Sequence, residues 1–178
     1  MLAFGHLGIG LKLSRFIRPA VPAFPILVGT VLPDLVDKPL YYGISLITGK
    51  VSTEIGLISC TRTFGHTGLF GLLLLMMSFV ARKKAHRIFL VSVACGVFSH
   101  HFLDLFQDAF ISEKPFLDGA ETQAFLYPFY KNFFAPMPTK NVTEHIMNFL
   151  NAPMLFLAEF VGCVILFQEW KKRKNLGA

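Results

Sequence analysis

The chain has 178 residues, of which 53% are hydrophobic and 16% charged, and its mean hydropathy is +0.55. A soluble globular protein is typically about 45–50% apolar and about 25% charged, so this composition favours a membrane protein and excludes a disordered chain. The 17 basic and 11 acidic residues give a net charge of +6. Membrane proteins carry such an excess on one side, so the charge alone does not make nucleic acid a partner.

Five apolar segments predict an all-α, polytopic membrane protein with about four or five transmembrane helices, organised as a single integral-membrane domain over residues 1–178. The segments cover residues 1–16, 20–36, 66–81, 88–106 and 152–170. A spanning helix needs about 20 apolar residues, with a range of about 17–25, and the last two segments fit this length best. The first segment is short, and whether it spans the membrane or is re-entrant stays open.

Basic clusters predict the orientation of these segments in the cell membrane. They lie at Lys12, Arg15 and Arg18, within residues 82–87, and within residues 171–174. The positive-inside rule places all three clusters in the cytoplasm, so the N-terminus is expected outside and the C-terminus inside. The connections 37–65 and 107–151 then face outward, and their aromatic residues lead us to expect them at the membrane interface.

This topology gathers histidines and aspartates from distant parts of the chain at the outer membrane face. The set consists of His6, Asp34, Asp37, His66, His100 and Asp104. His100 and Asp104 are four residues apart and so share one face of a helix. Zinc accepts imidazole and carboxylate ligands, and ionisable groups at membrane depth are expensive unless they pair or serve a function. The set therefore predicts a site for one or more divalent ions, with zinc as the first choice.

Several other polar residues have more than one interpretation. Asp34 follows Pro33 and is also typical of a turn or helix cap. Arg62 lies four residues before His66, where its guanidinium would bind a phosphate or carboxylate group or simply face lipid headgroups. Glu159 lies inside the fifth segment. It has three interpretations: a metal ligand, a partner of a ligand, or a protonated acid bonded to a neighbouring helix. The remaining uncertain residues are His101, Asp108 and His145.

Five short motifs occur in an order that resembles the membrane-bound metal-dependent hydrolases of the YbcI/YdjM type. They are G-H at 5–6, L-P-D-L-V-D at 32–37, R-T-F-G-H at 62–66, G-V-F-S-H-H-F-L-D at 96–104 and L-Y-P-F at 126–129. The chain departs from that pattern at Thr61 and Lys38, where many members have His, at Thr63, which replaces Gly, and in the wider spacing of its two aspartates. A more distant similarity is to zinc-dependent phospholipase C, which implies zinc-assisted phosphoester hydrolysis.

The main hypothesis is a metal-dependent hydrolase that acts on an ester or phosphoester of a lipid or lipid-linked substrate. Metal-activated water would attack the substrate, Asp34 would orient that water as a base, and Arg62 would bind an anionic head group. One alternative is a non-enzymatic helical membrane protein with a structural metal site. Another is an ion- or proton-coupled transporter, which would require polar residues towards the inner face, where the third and fourth segments are apolar.

Overall fold

The computed structural model describes residues 3–16, 22–50, 54–110, 114–136, 144, 147 and 150–176, and these residues contain helices and no strand. The all-α prediction is confirmed for this part of the chain. The predicted residues Arg18 and His145 lie outside it. The helices are α1 (Ala3–Phe16), α2 (Ala23–Thr48), α3 (Gly68–Val80), α4 (Lys84–Phe110), α5 (Ala120–Leu126) and α6 (Pro153–Leu176), with 3-10 turns at Gly56–Ile58, Phe64–His66 and Phe116–Asp118.

Two helices in the described ranges are long and apolar enough to cross a membrane. They are α4, with a mean hydropathy of 1.6, and the Pro153–Lys172 part of α6, with 1.4. Helix α3 is apolar but has only 13 residues, fewer than a perpendicular span needs. Helix α2 has 26 residues, but Asp34, Asp37 and Lys38 interrupt its apolar sequence. Length and composition alone thus support two spans where the sequence analysis predicted four or five.

Helix α2 extends well beyond residue 36, the predicted end of the second apolar segment. It runs through Pro33 and Pro39 to Thr48 and ends at Gly49. The φ of +65° at Gly49 is the left-handed conformation that commonly terminates helices at glycine, and its N–H donates to the Ser45 carbonyl. Asp34 and Asp37 therefore lie in the middle of a helix. The interpretation of Asp34 as a turn or cap residue does not apply.

The C-terminal part of α2 continues because it packs against the connections on either side of the site. Tyr41 is buried with Cys60, Ala124 and Phe134 in a small apolar cluster. These residues come from α2, from the segment before α3, from α5 and from the segment after it. The connections expected at the membrane interface thus fold against each other and form a cap over one end of the helices.

Glycines allow α2 and α4 to approach until their backbones touch. A Cβ atom on Gly29 would overlap the Val93 carbonyl oxygen, and a Cβ on Gly96 would overlap the Ile26 carbonyl oxygen. Small residues at a helix crossing permit this distance in membrane proteins. The crossing places the Thr30 turn of α2 beside His100, which lies one turn after Gly96 on α4.

Candidate metal centre

Asp37 anchors the 3-10 turn that carries His66. Its carboxylate is fully buried and accepts hydrogen bonds from Thr63 N (2.7 Å), Thr63 Oγ1 (2.9 Å), Gly65 N (2.9 Å) and His66 N (3.2 Å). Gly65 lies flush on α2 because a Cβ there would be 2.8 Å from the Pro33 carbonyl oxygen. The network fixes the backbone of the turn on α2, so that the His66 ring projects between the helices.

The same carboxylate determines which nitrogen of His66 carries a proton. His66 Nδ1 is 2.7 Å from Asp37 Oδ2, and an ionised carboxylate can only accept a hydrogen bond. Nδ1 is therefore assigned as the donor, which leaves the lone pair on Nε2 when the ring is neutral. A carboxylate behind a histidine in this way is the usual arrangement for a metal-binding imidazole. Asp37, predicted as a ligand, contacts His66 Nδ1, on the opposite side of the ring from the Nε2 atom that faces the cluster.

His100 is oriented in the same sense by a backbone carbonyl. Its Nδ1 is 2.8 Å from the Thr30 carbonyl oxygen, which accepts and cannot donate, so Nδ1 is again the donor. The lone pair of His100 thus also lies on Nε2. The His6 ring stacks on the His100 ring, with centroids 3.9 Å apart.

The two Nε2 atoms converge on Asp104. They are 3.1 Å apart, and Asp104 Oδ2 is 3.2 Å from His100 Nε2 and 3.6 Å from His66 Nε2. Zinc ligands at about 2.0–2.1 Å in a tetrahedron are about 3.3–3.4 Å from each other, which these three separations match. Without a cation or proton between them, the lone pairs would repel each other. The donor set therefore fits a divalent metal ion.

Two further predicted residues lie at the edge of this triad. His6 Nε2 is 3.4 Å from Asp104 Oδ1, and Asp34 Oδ1 is 3.6 Å from His66 Nε2. Both ring nitrogens of His6, a residue that is 1% exposed, lack a hydrogen-bond partner among the described residues. Such buried, unsatisfied nitrogens are rare in proteins and are expected where a metal ion or water binds.

The ligand atoms form two overlapping groups in which all the candidate atoms lie within 4.8 Å of one another. One comprises His6, His100 and Asp104, and the other Asp34, His66 and His100. Because Nδ1 of His100 is committed to Thr30, its remaining nitrogen can bind only one ion. The structure brings five of the six predicted ligands together, from α1, α2, α4 and the turn before α3.

Arg62 lies beside the cluster in an ion pair with Glu121 of α5. Burial alone would lower the pKa of Arg62, but the carboxylates of Glu121 and Asp104 outweigh it and raise that pKa, so the guanidinium stays charged. Burial raises the pKa of Glu121, and Arg62 opposes this shift. The Arg62 side chain is 24% exposed and the Asp34 side chain 17%, whereas His66 and His100 are buried. The cluster is therefore closest to the protein surface on the side where Arg62 and Asp34 lie.

Other polar residues near the cluster have structural partners. Asp108 Oδ2 accepts hydrogen bonds from Thr122 N (2.8 Å) and Thr122 Oγ1 (3.1 Å), which fixes α5 on α4. His101 Nε2 is 3.1 Å from the Gly65 carbonyl oxygen. His86, at the other end of α4, is exposed. These residues stabilise the surroundings of the candidate centre or lie far from it.

Glu121 is the participant that the sequence analysis missed. With His66, His101, Asp104 and Phe125 it lines a small, partly open cleft next to the candidate ligands. The signal in the sequence is a single acidic residue in an otherwise uncharged stretch, residues 119–130. Its significance depends on the Asp108–Thr122 bonds that bring α5 to the site, and no local pattern encodes these.

Comparison with known proteins identifies the family of the chain. The family model described as the YdjM inner membrane protein matches residues 1–176, so it covers every element of the candidate centre. No curated protein and no solved structure matches the chain. The match confirms the YdjM part of the resemblance and association with the lipid bilayer; the similarity to hydrolases and to phospholipase C stays a prediction. The chain belongs to the YdjM inner membrane protein family.

Proposed function

We propose that the chain is a multi-pass hydrolase of the inner membrane that cleaves an ester or phosphoester bond in a lipid or lipid-linked substrate. The single observation that carries this proposal is the convergence of His66 Nε2, His100 Nε2 and Asp104 Oδ2 at separations of 3.1–3.6 Å. Three protein ligands with room for a further group are typical of catalytic zinc sites. A divalent ion at such a site supplies Lewis-acid activation of water near neutral pH.

The chain's own residues take distinct roles in this proposal. His66, His100 and Asp104 would hold the ion and leave its fourth position to water, and His6, whose Nε2 is 3.4 Å from Asp104 Oδ1, would orient the Asp104 carboxylate. Asp34 has one oxygen on Lys38 Nζ at 2.6 Å and the other near His66, so it is placed to accept a proton from an attacking water. Asp37 keeps His66 in the tautomer that binds metal and is assigned here as a positioning residue.

Arg62 is the proposed contact for the anionic part of the substrate. Its side chain is partly exposed and adjoins the buried cluster, and a guanidinium binds phosphate and carboxylate oxygens through paired hydrogen bonds. Arg62 Nε is already paired with the Glu121 carboxylate, so the substrate would share or replace that contact. A site that opens beside Arg62 at a membrane surface meets lipid head groups first, which favours a lipid substrate.

The proposed topology has four or five spans, with the cluster and its cap at the outer face of this membrane. The basic residues that follow α3 and end α6 favour this orientation. Single cysteines introduced as Glu54→Cys and Lys84→Cys, in a chain whose native cysteines are serine, test it. A membrane-impermeant maleimide added to intact spheroplasts should label the first site and not the second. Labelling of the second site alone would reverse the orientation.

Purified wild-type protein in phospholipid vesicles tests the hydrolase proposal. Release of free fatty acid, diacylglycerol or phosphorylated head group is followed after chelation and after zinc is restored, with His100→Ala as the inactive variant and the exposed His86→Ala as its control. We expect zinc-dependent turnover in wild type and His86→Ala only. Stoichiometric zinc binding without turnover of phospholipids or soluble phosphoesters would favour the structural metal site.

A further inference from the structure

An acidic residue of α6 reaches across to the start of α1 inside the apolar part of the molecule. Glu159 is 7% exposed, although its sequence neighbour Phe160 is largely exposed. Its Oε2 accepts hydrogen bonds from Phe4 N at 2.9 Å and from Gly5 N at 3.1 Å. These two N–H groups belong to the first turn of α1, whose donors have no partner within the helix. Glu159 thus satisfies donors that water cannot reach in a bilayer.

Glycines bring the two helices close enough for this contact. A Cβ on Gly8 would be 2.6 Å from the Gly162 Cα atom, and a Cβ on Gly162 would be 2.7 Å from the Gly5 Cα atom. Glu159 and Gly162 are three residues apart and share one face of α6. The carboxylate and the backbone contact therefore act on the same turn of α1, and together they fix its depth and its rotation about the helix axis.

We infer that Glu159 is a positioning residue for His6 and thereby for the metal centre; the inference rests on the proposed metal site. His6 directly follows the two residues whose N–H groups Glu159 binds. The ring of His6 is stacked on His100 at 3.9 Å, and its Nε2 is 3.4 Å from Asp104 Oδ1. A rotation of α1 about its axis would move the ring away from both contacts, because a side-chain ring lies farther from the axis than the Cα atoms, which stand about 2.3 Å from it.

Glu159 acts through backbone hydrogen bonds and not as a ligand. It belongs to neither group of candidate metal-binding side chains, and its bonded oxygen is used by Phe4 and Gly5. Its second oxygen, Oε1, is buried and has no hydrogen-bond partner among the described residues. One accepting oxygen is therefore sufficient for the contact. This predicts that glutamine, which keeps one carbonyl oxygen at the same distance from the backbone, can replace Glu159.

Zinc affinity, measured by competition with a chromogenic chelator on the purified full chain, tests the inference. Glu159→Ala should weaken binding about 10–100-fold, the usual loss when a group that orients a ligand is removed. Glu159→Gln should bind as wild type. Glu169→Ala removes another buried acid of α6, one that lies near Lys172, and serves as the matched control that leaves zinc affinity unchanged.

A double-mutant cycle separates positioning from general stabilisation. If Glu159 acts through His6, the affinity of His6→Ala/Glu159→Ala equals that of His6→Ala. A further loss as large as in the wild-type background would overturn the inference, as would unchanged affinity in Glu159→Ala. If Glu159→Ala does not fold, Glu159→Asp, which withdraws the carboxylate by one methylene, takes its place in the cycle. Absence of zinc from the wild type would refute the metal site itself.

Discussion

Replacing Asp37 by asparagine tests whether this carboxylate orients His66. Oδ2 accepts from Thr63 N, His66 N and His66 Nδ1, while Oδ1 accepts from Thr63 Oγ1 and Gly65 N. An asparagine oxygen can keep the first three bonds, but its amide group then opposes the Gly65 N–H. A buried unsatisfied donor costs about 1–3 kcal/mol, and the lost charge weakens the bond to the imidazole further.

We therefore expect Asp37→Asn to lower the free energy of unfolding by about 2–4 kcal/mol and zinc affinity about 10–100-fold. Asp108→Asn is the matched control, because Asp108 is also buried and binds a backbone N–H and hydroxyl, those of Thr122. One oxygen of Asp108 accepts both of these bonds, so an asparagine can keep them, and the variant should leave zinc affinity unchanged. Denaturant unfolding of the metal-free protein and chelator competition provide the two values. Equal losses of zinc affinity in both variants would refute the orienting role of Asp37.

Three further predictions concern the site, the helix crossing and the cap. His66→Ala should abolish stoichiometric zinc, determined by atomic absorption, whereas the exposed His86→Ala should retain it; equal metal contents would remove His66 from the site. Gly29→Ala should destabilise the α2–α4 crossing by about 1–3 kcal/mol or more. Gly43→Ala should not, because no atom lies within 4 Å of the added Cβ, and equal unfolding midpoints of the two variants would contradict this packing. Burial raises the pKa of Cys60 to about 11, so at pH 7.5 its thiol should resist iodoacetamide until the protein is denatured. Rapid alkylation of Cys60 in the native protein, located by mass spectrometry, would contradict its burial.

The parts of the site that follow helical periodicity were accessible from the sequence. His100 and Asp104 are four residues apart on α4, and their ligand atoms lie 3.2 Å from each other. His6 and His66 were included because basic clusters alone placed them at the same membrane face. These predictions use local spacing and the sign of charge, which tertiary packing does not change.

The roles of the two aspartates on α2 depend on packing that no local pattern encodes. Asp34 and Asp37 are three residues apart, and both face the segment before α3. Only the docking of the Thr63–His66 turn decides that Asp37 receives five hydrogen bonds, whereas Asp34 shares its oxygens between Lys38 and His66. The sequence therefore predicted both as ligands.

Long-range contacts explain what the sequence analysis left open or missed. The partners of Glu159 are the backbone N–H groups of Phe4 and Gly5, which lie 155 and 154 positions away in the sequence. Glu121 reaches the site because Asp108 fixes α5 on α4. Likewise, α2 extends to Thr48 because Tyr41 packs against the cap. Hydropathy alone ended the second segment where the charged residues begin, since it does not register such packing.

Anomalous diffraction at the zinc absorption edge, from crystals of the purified full chain grown with zinc, tests the central claim most directly. We predict a peak about 2.0–2.2 Å from the Nε2 atoms of His66 and His100 and from a carboxylate oxygen of Asp104. A zinc ion bound elsewhere, with no peak between these three side chains, would contradict the proposed metal centre.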